Sequence, residues 1–260
     1  MPPFPRLLDS LGSSDKSYER KIKIIMLQSQ LQSIVEKFAV SATVSTIRPL
    51  GSGLINDTYL VVTEEKDQPD YVLQRINHEV FPDVDMVMRN IAIVTRHIRE
   101  RLIAQGETDL RHHVLEFLPT VEDASRLYAE VDGHYWRLMV FIDHAVTKQE
   151  VNPESAHAAG QSFGHFQAML ADVSCQLGET IKDFHNMEFR IEQLKQACVE
   201  DRAGRFDEPV VQELLEQLGK RAEAMTEAER LGREGKLPKR VCHCDTKVNN
   251  MLFSEDGSEV

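Results

Sequence analysis

The sequence predicts an α+β fold with two lobes, on the strength of two observations and their order. Between residues 44 and 142, short runs rich in β-branched and aromatic residues alternate with Gly- or Pro/Asp-containing turns, the signature of an antiparallel meander. From Asn152 onward the apolar residues recur at helical spacing instead. Sheet first and helices second is the order of an α+β chain, whereas an α/β chain alternates the two. The sequence therefore divides into an N-terminal arm and amphipathic helix over 1–40, a sheet lobe over 41–145 and a helical lobe over 146–260, all within a length that accommodates one large domain or two small ones.

The first twenty residues combine early prolines with a Gly/Ser/Asp cluster and are expected to form a poorly ordered arm. Ile24, Leu27, Leu31, Ile34, Val35 and Phe38 then mark one amphipathic helix. Strands are expected at residues 44–47, 58–62 and 71–76. Beyond Pro82, the set Val87, Ile91, Val94, Ile98 and Leu102 predicts a helix of about four to five turns. Strand character resumes at 114–118, 127–131 and 135–142, and Asp132-Gly133 supplies the positive φ angles of a tight hairpin between the last two. Asn152-Pro153 offers a cap followed by proline at the first helical position, with Ala159, Phe163, Phe166 and Leu170 along one face. Ile191, Leu194 and Cys198, then Val211, Leu214, Leu215 and Leu218, mark two further helices.

Composition excludes several classes. Thirty Lys plus Arg against 42 Asp plus Glu gives a net charge of −12, a field that repels nucleic acid and anionic lipid, so neither is an expected partner. No apolar run approaches the ~20 residues of a membrane helix. Four cysteines, at 175, 198, 242 and 244, are too few and too uneven for a disulfide framework and fit a cytoplasmic protein.

The densest polar constellation is HCDTKVNN, residues 243–250. An acid and an amide five residues apart, Asp245 and Asn250, can converge from one loop, the acid on a substrate hydroxyl and the amide oxygen on a cation. His243 is placed to brace the loop backbone. The same composition also suits an ordinary solvated loop. A second constellation, GSGLINDT over residues 51–58, lies between two expected strands, where glycines let backbone N–H groups approach phosphates, or where they simply make a turn. On the following strand Val72-Leu73-Gln74-Arg75 carries a cation that either reaches under that loop or is exposed.

Strand, Gly loop, strand, strand with a cation, helix, strands, linker, helices and then H-x-D-x-x-x-x-N resembles the kinase-like phosphotransferase superfamily. HCDTKVNN is similar to the catalytic loop of its aminoglycoside/choline branch. GLINDTY, YVLQRIN, Phe81-Pro82 with RNI, ETIKDFHN and HCDTKVNNMLF together look like N-acetylhexosamine 1-kinases, over roughly 210 positions from Leu50 onward. The resemblance implies a bilobal protein-kinase-like fold, and ATP and Mg2+ as cofactors. It also implies a small sugar as substrate, phosphorylated at its anomeric hydroxyl. Asp245 would then orient or accept the proton of the attacking hydroxyl, Asn250 would hold Mg2+, and Thr246 and Lys247 would face the substrate. Gly51, Gly53 and Asn56 would line the nucleotide phosphates, and adenine would rest against the backbone of residues 140–143, Phe141 included. Arg75 would stand where the superfamily has lysine, with Gln74 sharing or replacing that role, since Arg binds phosphate as a fork and stays charged. The helix acid that pairs with this cation is not identifiable from the sequence; Glu100 is one candidate, and reads more readily as a solvated surface charge. His185 and Arg190 are open between substrate contact and a polar helix start.

Cys242, His243 and Cys244 are too tightly spaced to close a zinc shell, with no second Cys/His pair following. His112-His113 is expected on a strand edge. At the end of the sequence, residues 252–257 resemble a strand entering a turn whose return strand would begin at Val260. In the resembled family that return strand leads to a metal-binding aspartate, so the sequence suggests an incomplete kinase lacking full activity. The competing expectations are a catalytically dead kinase-like module that binds nucleotide or a partner, and a choline- or aminoglycoside-type kinase.

Overall fold

The computed structural model describes residues 27–51, 55–148, 150–174 and 176–255. The expected N-terminal arm, Gly53, Cys175 and the turn after Glu255 lie outside them. The chain divides into two compact units, Met1–Asp143 and His144–Val260.

In the first unit, β1 (Val44–Pro49), β2 (Asp57–Thr63), β3 (Tyr71–Ile76), β4 (Ala129–Val131) and β5 (His134–Val140) make one antiparallel sheet in the order β1-β2-β3-β5-β4. The β4–β5 connection takes the expected left-handed backbone, φ 51° at Asp132 and 74° at Gly133. Alternation along the strands sorts the side chains by face. Tyr71, Leu73, Trp136, Leu138 and Val140 share one face with Val61, and α1 (residues 27–35) covers it with Leu31, Ile34, Val35 and, just beyond, Phe38. Gln74, Ile76, Tyr135 and Arg137 point the other way, toward α2 (Val84–Ala104). Asp83 caps that helix by accepting a hydrogen bond from the Met86 N–H at 2.8 Å, and Val84 and Met88 pack with Ile76 and Tyr128.

The expected strand at 114–118 is not a regular one. Leu118 N–H donates to the Leu138 carbonyl and Val140 N–H to Glu116, but Phe117–Met139 is an isolated bridge. The preceding residues coil into a single turn, α3 (Leu110–His113), so the histidine pair sits on a helical turn and not on a strand edge. The reason is local: the i, i+3 spacing of a helical turn lets His112 reach back to Asp109. Its other ring nitrogen meets Asp143, so that 2.8 Å contacts to two carboxylates hold the segment leaving β5. Arg111 adds a 3.3 Å hydrogen bond to the Phe141 carbonyl.

The second unit pairs β6 (Ala145–Val146) with β7 (Phe253–Ser254) and carries α4 (Pro153–Met169), α5 (Met187–Glu200), α6 (Pro209–Met225) and α7 (Glu227–Arg233). The Asn152-Pro153 start is realised as a capping box: Asn152 Oδ1 accepts from Ser155 N–H and Ser155 Oγ from Asn152 N–H. Asn186 caps α5, and Arg233 on α7 forks onto Glu188 at 2.8 Å through both terminal nitrogens. Phe253 is fully buried, with the Lys148 ammonium 4.4 Å from its ring centre. Among the described residues no helix is long and apolar enough to cross a membrane.

Leu73 has 0% exposure at the centre of the sheet, beside Trp136, the one tryptophan of the chain. Leu73→Ala should cost about 2–5 kcal/mol, read as a lower urea midpoint by tryptophan fluorescence, which reports this unit directly. His112 generates a pH-dependent expectation. Hydrogen bonds that His112 donates to Asp109 and then to Asp143 raise its pKa above the usual 6.5, while each carboxylate is lowered from 3.8, first by its bond to His112. The histidine contribution is full below about 6.5 and fades as pH rises through its raised folded value. The midpoint difference between wild type and His112→Asn should therefore be larger at pH 6 than at pH 9; equal differences would exclude a charged His112 bridge.

Candidate functional site

The second unit gathers the HCDTKVNN residues around one carboxylate. Cys244 takes φ 67°, a left-handed conformation that costs a non-glycine residue roughly 1–2 kcal/mol, directly before Asp245. Hydrogen bonds hold the loop on the far side of that strained residue. Lys247 N–H donates to the Asp245 carbonyl at 3.0 Å, and the short 3-10 turn Val248–Asn250 brings the Asn250 side chain back. Asn250 Nδ2 donates to both the Asp245 carbonyl at 3.0 Å and Asp245 Oδ2 at 2.7 Å, and Lys247 Nζ lies 3.2 Å from the same Oδ2. The Asn250 hydrogen bond, aided by Lys247 and His243, holds the Asp245 carboxyl below its usual range, so it is ionised at neutral pH and can only accept. Asp245, Thr246 and Lys247 are exposed.

His243 braces the loop through its ring: it stands 5.7 Å from Phe163 and 6.1 Å from Phe166, ring centre to ring centre, both on the apolar face of α4. Cys244 Sγ donates to the Cys242 carbonyl and Cys242 Sγ to the Arg240 carbonyl, and burial pushes the Cys244 thiol up. A raised Cys244 thiol turned to a backbone carbonyl does not suit zinc, which binds thiolates.

Magnesium suits the loop better. With Nδ2 committed to Asp245, Asn250 has its amide oxygen left as a hard donor beside an ionised carboxylate. Mg2+ commonly takes only one or two protein oxygens and completes its shell with water and phosphate.

The first unit holds the other predicted residues. Gly51 has φ 71°, which a side chain would oppose, and Leu50 N–H donates to the Thr58 carbonyl at 2.8 Å, closing the β1–β2 hairpin to which Gly51 belongs. Asn56 Oδ1 accepts from Asn77 N–H at 2.9 Å, which ties the base of that loop to the end of β3. Arg75 pairs with Asp57, its cross-strand neighbour, on the sheet face opposite α2. Together they border a shallow hollow of about 220 Å³ with His78, Glu79 and His134. Phe141 has both backbone groups engaged inside the unit, its N–H with Asp70 and its carbonyl with Arg111. Glu100 is exposed. His185 stacks on Phe184 at 4.5 Å, and Arg190 bonds the Phe184 carbonyl at 2.8 Å, so both serve the start of α5.

Sequence reasoning passed over Arg137. Its Nε and one terminal nitrogen both donate to Gln74 Oε1, at 3.0 and 2.6 Å, while Gln74 Nε2 donates to Thr58 Oγ1 at 2.9 Å. Thr58, Gln74 and Arg137 are register partners, so the three side chains form one row across β2, β3 and β5 on the α2 side. The signal was present: in HYWRLMV the arginine is the only charged residue between apolar ones, in a strand covered on both faces.

Residues 46–260, from within β1 to the last residue, match the phosphotransferase enzyme family. The fold is shared with a spectinomycin phosphotransferase solved in complex with ADP and spectinomycin, at a TM-score of 0.51 and 14% identity, over 89% of this chain and 66% of that one. An aminoglycoside phosphotransferase from Alicyclobacillus acidocaldarius matches at a TM-score of 0.44 and 16% identity, over 78% of this chain and 53% of its own length. The chain thus spans less than two thirds of either relative. A sheet with a glycine hairpin, a helical unit bearing an Asp–Asn loop and a family match running through both make the chain a member of the phosphotransferase enzyme family.

Proposed function

We propose that the chain is the kinase portion of an ATP- and Mg2+-dependent sugar phosphotransferase acting in the cytoplasm, with the anomeric hydroxyl of an N-acetylhexosamine as the acceptor. The observation that carries this reading is the Asp245–Asn250 contact: one loop presents an ionised carboxylate and, locked to it, an amide whose oxygen is left for a cation. In the transfer the sugar oxygen bonds to the γ-phosphorus, the bond from that phosphorus to the β–γ bridging oxygen breaks, and the hydroxyl proton passes to Asp245. Asp245 orients the hydroxyl by accepting from it. Lys247, now 3.2 Å from that carboxylate, faces the charge developing on the transferred group, and Thr246 offers a hydroxyl to the sugar. Asn250 would hold Mg2+ through its amide oxygen, and the ion would supply neutralisation of phosphate charge. Such transfers depend mainly on positioning and charge neutralisation.

The nucleotide reading is supported by the glycine hairpin and by the ADP bound to the spectinomycin phosphotransferase of the same fold. Gly51, Gly53 and Asn56 would line the phosphates, and the backbone of residues 140–143, Phe141 included, would meet adenine. An aminoglycoside- or choline-type acceptor is the second reading, and the likeness to a spectinomycin phosphotransferase favours its aminoglycoside form.

The test is ADP release against a panel of N-acetylhexosamines, aminoglycosides and choline. Release only with N-acetylhexosamines is expected; release only with aminoglycosides or choline would replace the sugar assignment, and none with ADP still bound would mean a non-catalytic module. Asp245→Asn should lower kcat by about 10²- to 10⁴-fold with nucleotide affinity unchanged within about twofold. Asn250→Ala should raise the Mg2+ concentration needed for half-maximal rate. It should also move the acid limb of the rate profile to higher pH, because the bond that most depresses the Asp245 pKa is gone.

A further inference from the structure

Helix α2 has only two acids, Asp85 and Glu100. Asp85 accepts a 2.7 Å hydrogen bond from the Tyr128 hydroxyl, and Glu100 is exposed. What α2 presents to Arg137 is the Met88 sulfur, 3.8 Å from one terminal nitrogen, while the guanidinium carbon lies 5.4 Å from the centre of the Phe117 ring. Among the described residues no carboxylate contacts Arg137. Its strongest partner is a neutral amide oxygen shared by two of its five N–H groups. Removal from water alone drives its pKa down to about 10, which leaves it charged at neutral pH. A guanidinium held among apolar groups with no counter-charge is costly unless an anion joins it. Arg137 keeps part of its surface open, and its row ends at Thr58, whose carbonyl closes the β1–β2 hairpin by accepting from Leu50 N–H. Arg75, one position along, is already neutralised by Asp57 on the opposite face.

We infer that Arg137, positioned by Gln74, is the cation that the first unit presents to nucleotide phosphate, and that Gln74 occupies the strand position where a lysine would otherwise do so. The inference rests on the nucleotide reading above. The neutral amide is central to it: Gln74 orients the fork without neutralising it, so two or more N–H groups remain for phosphate oxygens.

The experiment compares ADP with adenosine, which lacks phosphate, by calorimetry on wild type, Arg137→Met, Arg137→Lys and Gln74→Glu. Arg137→Met should weaken ADP by at least about tenfold and leave adenosine within about twofold. Arg137→Lys should recover only part of the loss, because it restores charge without the fork. Gln74→Glu keeps the shape and gives Arg137 an internal counter-charge, so it should raise the thermal midpoint and at the same time weaken ADP. This variant keeps the test usable if Arg137→Met does not fold. Parallel losses of ADP and adenosine, or a Gln74→Glu protein that binds ADP as wild type does, would overturn the inference and leave the nucleotide reading standing. A wild-type chain that binds neither ligand would overturn both.

Discussion

The two-residue period of β3 is the constraint on which the first unit depends. Tyr71 and Leu73 must face α1 and its cluster, because Leu73 is the best-buried position of the strand and is matched across the ladder by Leu138. Once they do, Gln74 has no choice but to face α2, and Arg75 has none but to face away from it. A one-residue slip would bring Arg75 into the α2 face, strip Asp57 of its partner and drive Leu73 out of the core, so burial of one leucine fixes which polar side chain meets the helix. The register is pinned from both sides, since β3 pairs over its length with β5 and over five residues with β2.

That dependence explains which parts of the molecule were legible in the sequence. Strands with clear alternation, the Asp132-Gly133 hairpin and the Asn152-Pro153 cap were readable because each is set by contacts within a few residues. Residues 114–118 were misread as a strand because their apolar side chains fill gaps over β5 without forming a ladder, and that depends on where β5 runs. The histidine pair is different: its helical turn is set locally by the Asp109–His112 contact, and only its second carboxylate partner, Asp143, is 31 positions away. Arg75 is expected in the place of the superfamily's lysine, with Gln74 sharing or replacing that role, and the face each occupies follows from burial of Leu73.

The convergence of the HCDTKVNN residues was legible because it is local. Asp245 and Asn250 meet within a span of six residues, closed by a 3-10 turn and a single strained residue, so their spacing allowed the contact that the loop makes. His243 was expected against the loop backbone; it instead anchors the loop to Phe163 and Phe166, apolar residues already assigned to one face of α4. Local hydrogen bonds thus set the geometry of the carboxylate, and two aromatic side chains from a regular helix set where the loop sits within its unit. The division is economical in physical terms: strain at Cys244 is tolerated because the residues on both sides of it are fixed by independent contacts.

The choice of arginine in the β5 row has its own electrostatic logic. Burial lowers Arg137 to about 10, still well above neutrality. A lysine begins about two units or more below an arginine, so the same burial would bring it much closer to losing its charge. An ammonium also lacks the planar fork by which Arg137 holds one amide oxygen with two parallel N–H groups. A lysine can be used in such a place when a helix carboxylate stands beside it and restores its charge. Here α2 offers Met88 at that point, so the cation must stay ionised without help. Guanidinium is the side chain that meets that requirement, and a neutral glutamine beside it, in place of a carboxylate, leaves its charge available to phosphate.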